Sequence, residues 1–273
     1  MVHAVWSEVD AALQRAKAAI NRGRPDEAEQ FTRDVLGRIP QHATALHLLG
    51  CALLLQNRPR QALTPLEKAA RARQDPEIET QLAIALRRVG RTDDALARLR
   101  RATKRRPAYP FAFHELGFLL SSLHRTDEAI EVITRGLELA PAMPELLVQL
   151  GGIHHARGDR ANAKVAYSKA LAVAPEHADG HYGMGVTLLD ECDFVPAAEH
   201  LQRSLAGNPA DLQARLRLGT CLLELGRPEE ALEALRAAIR GDPKCYGLVL
   251  KLLSTSARGR FWLRPSSAAK ILG

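Results

Sequence analysis

The chain has 273 residues, 46% of them hydrophobic and 25% charged but only 4% aromatic, with a formal net charge of +7. Such a composition is that of an ordinary soluble protein and favours helices over a sandwich or barrel. No apolar run approaches the roughly 20 residues of a bilayer span, so a membrane segment is not expected. The charge lies in blocks: residues 1–110 carry 20 basic and 12 acidic side chains, residues 111–212 carry 7 and 14, and residues 213–273 carry 11 and 5. Blocks of this kind act on partner steering and solubility rather than on fold.

Residues 1–8 read as a lead-in without a basic stretch, an apolar run and a small-residue cleavage site, so no secretory signal is expected and a cytoplasmic location is. From residue 9 to residue 245 one unit recurs: a small residue, a step of twelve to Ala, a step of seven to a small residue, and a step of five to Pro. The first unit starts near Val9 and holds a weak version, Ala16, Ala28, Val35 and Pro40. The second starts at Ala43, with Gly50, Ala62 and Ala69 and no proline, and is one residue short. The third, at Pro76, has Ala83, Ala95, Ala102 and Pro107; the fourth, at Pro110, has Gly117, Ala129, Gly136 and Pro141. Then come Pro144 with Gly151, Ala163, Ala170 and Pro175, Ala178 with Gly185, Ala197, Ser204 and Pro209, and Leu212 with Gly219, Ala231, Ala238 and Pro243. Residues 246–273 read as a capping helix and a basic aromatic tail; Leu248, Leu250, Leu252 and Leu253 supply the helix's apolar side.

Within a unit, Phe113, Leu116 and Leu120 and then Ile130, Ile133 and Leu137 fall at helical spacing, which predicts two amphipathic helices. Small residues where the two cross allow close approach. Gly23, Gly90, Gly158, Gly226 and Asn57 stand where the first helix must end in a left-handed residue. Pro25 and Pro228, or Thr92 and Thr126, then open the second helix as a first-turn proline or an N-cap.

A period near 34 residues with these small and Pro positions resembles the tetratricopeptide repeat family. The resemblance implies an all-α fold, a right-handed superhelical solenoid of about seven helix-turn-helix repeats plus a C-terminal capping helix. Where the family often places an aromatic early in the first helix, this chain has Leu46, Glu79, Phe113, Leu147, His181 and Arg215, which reads as partial erosion of those packing sites. The family's first helices line a concave surface. Carried over unit by unit, the positions implied to face a ligand are Lys17; His47 and Cys51; Thr80, Ile84, Arg87 and Arg88; Phe111, His114, Phe118, Ser121 and Ser122; Val148 and His155; and Tyr182, Asp190, Leu216 and Glu224.

The middle of that set combines the guanidinium groups of Arg87 and Arg88, which pair carboxylates, with the apolar area of Phe111, Phe118 and Tyr182. It suits an extended or helical peptide carrying an acidic group and an apolar anchor. The implied function is a non-catalytic scaffold or adaptor for a partner protein or peptide. Two alternatives stay open: a self-assembling structural module, hence a homo-oligomer, and a regulatory or targeting arm for a separately encoded transferase. Phe261 and Trp262, among Arg258, Arg260 and Arg264, either contact a partner or seal the last repeat.

Other chemistry has little support. Neither the chaperone-tail clamp nor the asparagine ladder known in the family is present; the ladder position holds Gln81, Glu115, Gln149, Gly183 and Arg217. The cluster Arg98, Arg100, Arg101, Lys104, Arg105 and Arg106 reads as a solvated outer face, and nucleic-acid binding is disfavoured because only Tyr109 offers a stacking surface beside it. Cys51, Cys192, Cys221 and Cys245 form no C-x-x-C pair and read as buried thiols. His154, His155, His177 and His181 lack a third ligand. No catalytic residue, metal or cofactor is expected.

Overall fold

The computed structural model describes residues 2–255, and among them every element is helical: fifteen α-helices and one short 3-10 turn. Phe261 and Trp262 lie outside the described residues. The chain divides into two compact units, Met1–Ala140 and Pro141–Gly273.

The first unit holds α1 (Val2–Asn21), α2 (Pro25–Arg38), α3 (Ala43–Leu55), α4 (Pro59–Ala72), α5 (Pro76–Arg88), α6 (Thr92–Ala102), α7 (Pro110–Ser122) and α8 (Thr126–Leu139). Each odd-numbered helix packs on the even one that follows, and α1, α3, α5 and α7 also touch in succession, so the first helices form one layer. Helix α1 begins at Val2, because no glycine or proline interrupts the chain before Asn21, and the lead-in read over residues 1–8 is largely helix.

The second unit holds α9 (Pro144–Ala156), α10 (Arg160–Val173), α11 (Ala178–Asp190), α12 (Phe194–Gly207), α13 (Leu212–Glu224), α14 (Pro228–Gly241), a 3-10 turn at Pro243–Cys245 and α15 (Tyr246–Thr255). Helix α15 packs on α13 and α14. Its buried residues are Val249 and Leu253, with Leu250 and Leu252 partly buried against the same core, while Leu248 is turned to solvent.

The turn inside each pair is a Schellman motif. Gly23, Asn57, Gly90, His124, Gly158, Cys192 and Gly226 take φ between 57° and 84°. The next amide then bonds back to the helix in every case, as Arg24 N to Ala19 O at 2.9 Å and Asp193 N to Leu188 O at 2.9 Å. His124 and Cys192 hold this geometry without glycine, and Cys192 is exposed rather than the buried thiol expected.

Thr92 and Thr126 are the first helical residues, not N-caps. The cap positions before them belong to Arg91 and Arg125, whose guanidinium groups reach carboxylates three residues on: Arg91 Nε to Asp94 Oδ2 at 2.7 Å, Arg125 Nε to Glu128 Oε1 at 2.6 Å. Arg227 does the same with Glu230, at 2.7 and 2.6 Å. An acidic group in the first turn is favoured by the helix dipole, and here the preceding arginine holds it there.

Helix crossings are tight. A Cβ on Gly50 would lie 2.4 Å from Leu66 Cγ, and one on Gly219 would lie 2.7 Å from Leu235 Cδ2. A side chain at these positions would force the facing leucine, or the helix crossing itself, to shift.

Of the positions read as eroded aromatic sites, Leu46, Phe113 and Leu147 are buried apolar side chains, and Glu79, His181 and Arg215 are polar tethers. Glu79 is 2% exposed and is paired by Arg98, at 3.1 Å, and by Arg101. His181 Nε2 donates to Pro175 O at 2.7 Å, and Arg215 donates to Pro209 O and, at 3.0 Å, to Ala237 O. Because a carbonyl can only accept, the tautomer of His181 with its proton on Nε2 leaves Nδ1 to accept from His200 Nδ1, 2.8 Å away. Burial, and next the neighbouring His181, push the His200 pKa below its ordinary 6.5.

Candidate functional site

In the first unit the layer of first helices encloses an open cleft of about 440 Å³. Lys17, Ile20 and Asn21 come from α1; His47, Leu48, Cys51, Leu54 and Leu55 from α3; Glu77, Gln81, Ile84, Arg87 and Arg88 from α5; Phe111 and Glu115 from α7; and Asn57 from the turn after α3.

Arg87 is the best-defined polar group of the cleft. Its guanidinium carbon sits 4.8 Å from the centre of the Phe118 ring, and one nitrogen is 3.5 Å from Glu115 Oε2. Its Nε is buried with no acceptor. Phe118 itself is 46% exposed and Leu55 is 55% exposed, two large apolar side chains left facing solvent. Phe111 is half-buried, stacked on His114 with centroids 5.3 Å apart and edge-on to Tyr109 at 6.2 Å. Burial pushes the Tyr109 hydroxyl up to about 12, so it stays protonated.

Other residues implied by the resemblance are spent on structure. Thr80 is wholly buried, its hydroxyl donating to Pro76 O at 2.6 Å, and so cannot face a ligand. Arg88 donates to Leu54 O at 2.8 Å, closing the C-terminal end of α3 from the next pair. Ser121 and Ser122 hydroxyls turn back onto Gly117 O, at 2.9 Å, and Leu119 O, at 2.7 Å. Each of these side chains finds a backbone oxygen within its own turn or the adjoining helix, which wins over projection into solvent.

His47 and Ile84 line the cleft but are nearly closed over, and the His47 Nε2 is buried without a partner. Burial, the largest influence, holds the His47 pKa below 6.5, so the ring is neutral near pH 7. Burial likewise raises Cys51 to about 12, and a thiol so placed is inert.

The basic cluster on α6 and its exit is partly consumed internally: Arg98 and Arg101 hold Glu79, Arg100 pairs with Glu128 at 3.1 Å, and Arg105 donates to Gln74 at 2.8 Å.

In the second unit, His155 Nε2 lies 2.9 Å from Asp190 Oδ2, linking α9 to α11, and Tyr182 is half-buried, packed against the core of that unit. Leu216 is 3% exposed and belongs to that core rather than to a ligand-facing surface. His177 caps α11 by accepting from Gly180 N at 3.2 Å, and His42 caps α3 by accepting from Ala45 N at 3.3 Å. Among the described residues no three His, Cys, Asp or Glu side chains gather as a metal site would require, and no helix is long and apolar enough to cross a membrane.

Sequence reasoning did not single out Leu55, Glu115 or Tyr167. Leu55 carried a signal, being apolar at the exposed end of α3. Glu115 carried one only in its spacing to Arg87. Tyr167, from α10, fits between Gly151 and Gly183, whose Cβ atoms would lie 2.7 and 2.3 Å from its ring. That insertion was visible only as glycine at the fourth ladder position.

Tetratricopeptide repeat models match residues 10–77 and 80–144, residues 144–177, and residues 188–254. A search of curated proteins finds no match. Among solved structures, the chain is similar to the APC/C hetero-tetramer Cut9–Hcn1, with a TM-score of 0.78, 18% identity and 91% of this chain covered. It spans 49% of that neighbour's length. It is also similar to a tetratricopeptide repeat protein from Parabacteroides merdae (TM-score 0.65, 15% identity, 90% of this chain and 98% of that one). A third is the pilF protein of Pseudomonas aeruginosa (TM-score 0.63, 20% identity, 78% and 93%). Identities this low speak to fold alone. With matched repeats along most of its length, and with helix pairs closed by Schellman turns and glycine crossings, the chain belongs to the tetratricopeptide repeat family.

Proposed function

We propose that the chain is a non-catalytic binding scaffold that captures a segment of a partner protein in the cleft of its first unit. Repeats of this family generally mediate protein–protein interaction, and the observation that carries the reading here is two exposed apolar side chains, Leu55 in the lining of the cleft and Phe118 against the guanidinium of Arg87, which lines the same cleft. Exposed apolar area flanking a positioned charge is the composition of an interface hot spot, where aromatic and Arg residues dominate the binding energy.

The test is affinity capture by the full chain followed by mass spectrometry, comparing wild type with the Leu55→Asp/Phe118→Ala double variant. Both side chains are about half exposed, so the variant should keep its helicity by circular dichroism. A stoichiometric protein bound by wild type and lost by the variant supports the cleft. A partner retained by the variant at equal occupancy places binding elsewhere and ends this reading.

A further inference from the structure

Internal bonds do not use up the cations around α6, and those left over gather on one edge of the first unit. Residues 58–106 carry 14 basic and 6 acidic side chains, a surplus of eight in a chain whose net charge is +7. The carboxylates of this stretch are largely engaged: Glu79 with Arg98 and Arg101, Asp94 with Arg91 at 2.7 Å, and Asp75 with Arg73 at 3.3 Å. Lys68 and Arg71, near the end of α4, and Lys104 and Arg106, just after α6, are exposed and pair with no carboxylate of the described residues. A cation at a helix C-terminus is favoured by the helix dipole. Yet α8, α10 and α12 have no basic residue in their last turn. Those helices form without one, so the dipole does not account for the concentration on α4 and α6.

The repeat brings these cations side by side. Helices α4 and α6 both pack on α5. With one repeat starting at Ala43 and the next at Pro76, Lys104 takes the position of Arg71, and Arg106 that of Arg73. Arg105 donates to Gln74 Oε1 at 2.8 Å, which ties the α6–α7 connection to the α4–α5 connection. Arg73 and Arg106 line one open recess of about 540 Å³ between the two connections. Its aromatic wall is Tyr109, edge-on to Phe111, and Glu77 is its one carboxylate without a bond.

No large apolar side chain is exposed on α4 or α6, so nothing there inserts into a bilayer, and a flat headgroup layer does not enter a recess. One aromatic side chain gives no ladder on which single-stranded bases stack. A duplex needs neither, because Lys and Arg bind it through its backbone phosphates, one charge per about 1.7 Å of axis. We infer that this edge binds the backbone of a nucleic-acid duplex without reading its sequence. One strand seats in the recess between Arg73 and Arg106, with Lys68, Arg71 and Lys104 on the phosphates beside it. The inference does not rest on the cleft, which shares only Glu77 with the recess.

The probe is a fluorescein-labelled DNA duplex of about 20 base pairs and arbitrary sequence, titrated with the full chain and read by anisotropy at about 50 to 200 mM salt. With about five phosphates neutralised, the log–log salt slope is roughly −4.5, a fall in affinity of roughly 500-fold across that range. Lys68→Gln/Arg71→Gln/Lys104→Gln/Arg106→Gln leaves about one contact and a slope near −1. A control with the same charge removed elsewhere, Arg22→Gln/Lys169→Gln/Arg203→Gln/Arg240→Gln, keeps the wild-type slope. All eight side chains are exposed, and circular dichroism checks that both variants stay helical. The wild-type slope needs no altered protein, so it reads out even if a variant misfolds. Equal weakening by the two variants reduces the effect to net charge and overturns the site. A slope shallower than about −2, or no binding at about 50 mM salt, overturns the duplex reading. So does tighter binding to phosphatidylserine vesicles or to poly-glutamate than to the duplex.

Discussion

Replacing Arg98 and Arg101 together by alanine leaves the Glu79 carboxylate, whose side chain is 3% exposed, buried among α5 and α6 without a cation. Removing the partners of a buried charge costs about 3–5 kcal/mol, because its desolvation is no longer offset. At roughly 2–4 °C per kcal/mol for a chain of this size class, the thermal midpoint falls by about 6–20 °C. The reverse change behaves differently. In Glu79→Leu the buried charge disappears, and the two arginines, 35% and 48% exposed, turn to water. Replacing a buried ionic group by a well-packed apolar one is neutral or stabilising by about 1–4 kcal/mol. Thermal unfolding of wild type, Arg98→Ala/Arg101→Ala, Glu79→Leu and the triple variant, followed by far-UV circular dichroism, measures all four corners. The triple variant should sit near Glu79→Leu. If Glu79→Leu proves as destabilising as loss of both arginines, the buried triad is a net source of stability and the desolvation reasoning fails.

Gly183→Ala puts a Cβ 2.3 Å from the Tyr167 ring, an overpacking expected to cost about 1–3 kcal/mol in a urea melt; Tyr167→Leu should relieve it, so the two changes will be non-additive. His47 and His200 both have folded pKa values below the ordinary 6.5, so the unfolded chain binds more protons as pH falls past 6.5. Stability from these groups is therefore complete above that pH and is lost on acidification towards each folded pKa, at about 1.4 kcal/mol per tenfold difference in proton affinity. Melts across pH 7.5 to 5 should show His200→Asn less acid-sensitive than wild type, and an unchanged slope would count against it. His124→Gly and Cys192→Gly should each raise stability by about 1 kcal/mol, since both positions hold left-handed backbone that glycine adopts without strain; a fall in the thermal midpoint would contradict this.

The helix pairs were legible because their signals are local. Apolar spacing around Phe113 and Ile133 and left-handed glycines such as Gly90 need no knowledge of distant contacts. His124 and Cys192 escaped notice because the Schellman hydrogen bonds impose the same backbone on residues with no intrinsic preference for it. The site was less legible. Arg87 and Phe118 were marked by the repeat frame and do come together, whereas Thr80, one helical turn before Ile84, rotates wholly into the core. A frame transferred by position cannot say whether a hydroxyl will bond a carbonyl of its own helix, as Ser121 does, or whether a guanidinium will cap the preceding pair, as Arg88 does. Glu79 shows the same limit: its partners stand 19 and 22 residues away, and only the packing of α5 on α6 brings them together.

Side-chain footprinting by hydroxyl radicals, with the captured partner segment bound and free, tests the cleft most directly. Leu55 and Phe118 are 55% and 46% exposed in the free chain, and Val165, Val173 and Val195, on second helices of the other unit, are 51%, 47% and 57% exposed. Binding in the cleft should protect Leu55 and Phe118 from oxidation and leave the three valines unchanged. Protection of the valines with Leu55 and Phe118 still fully reactive would contradict the assignment of function to this cleft.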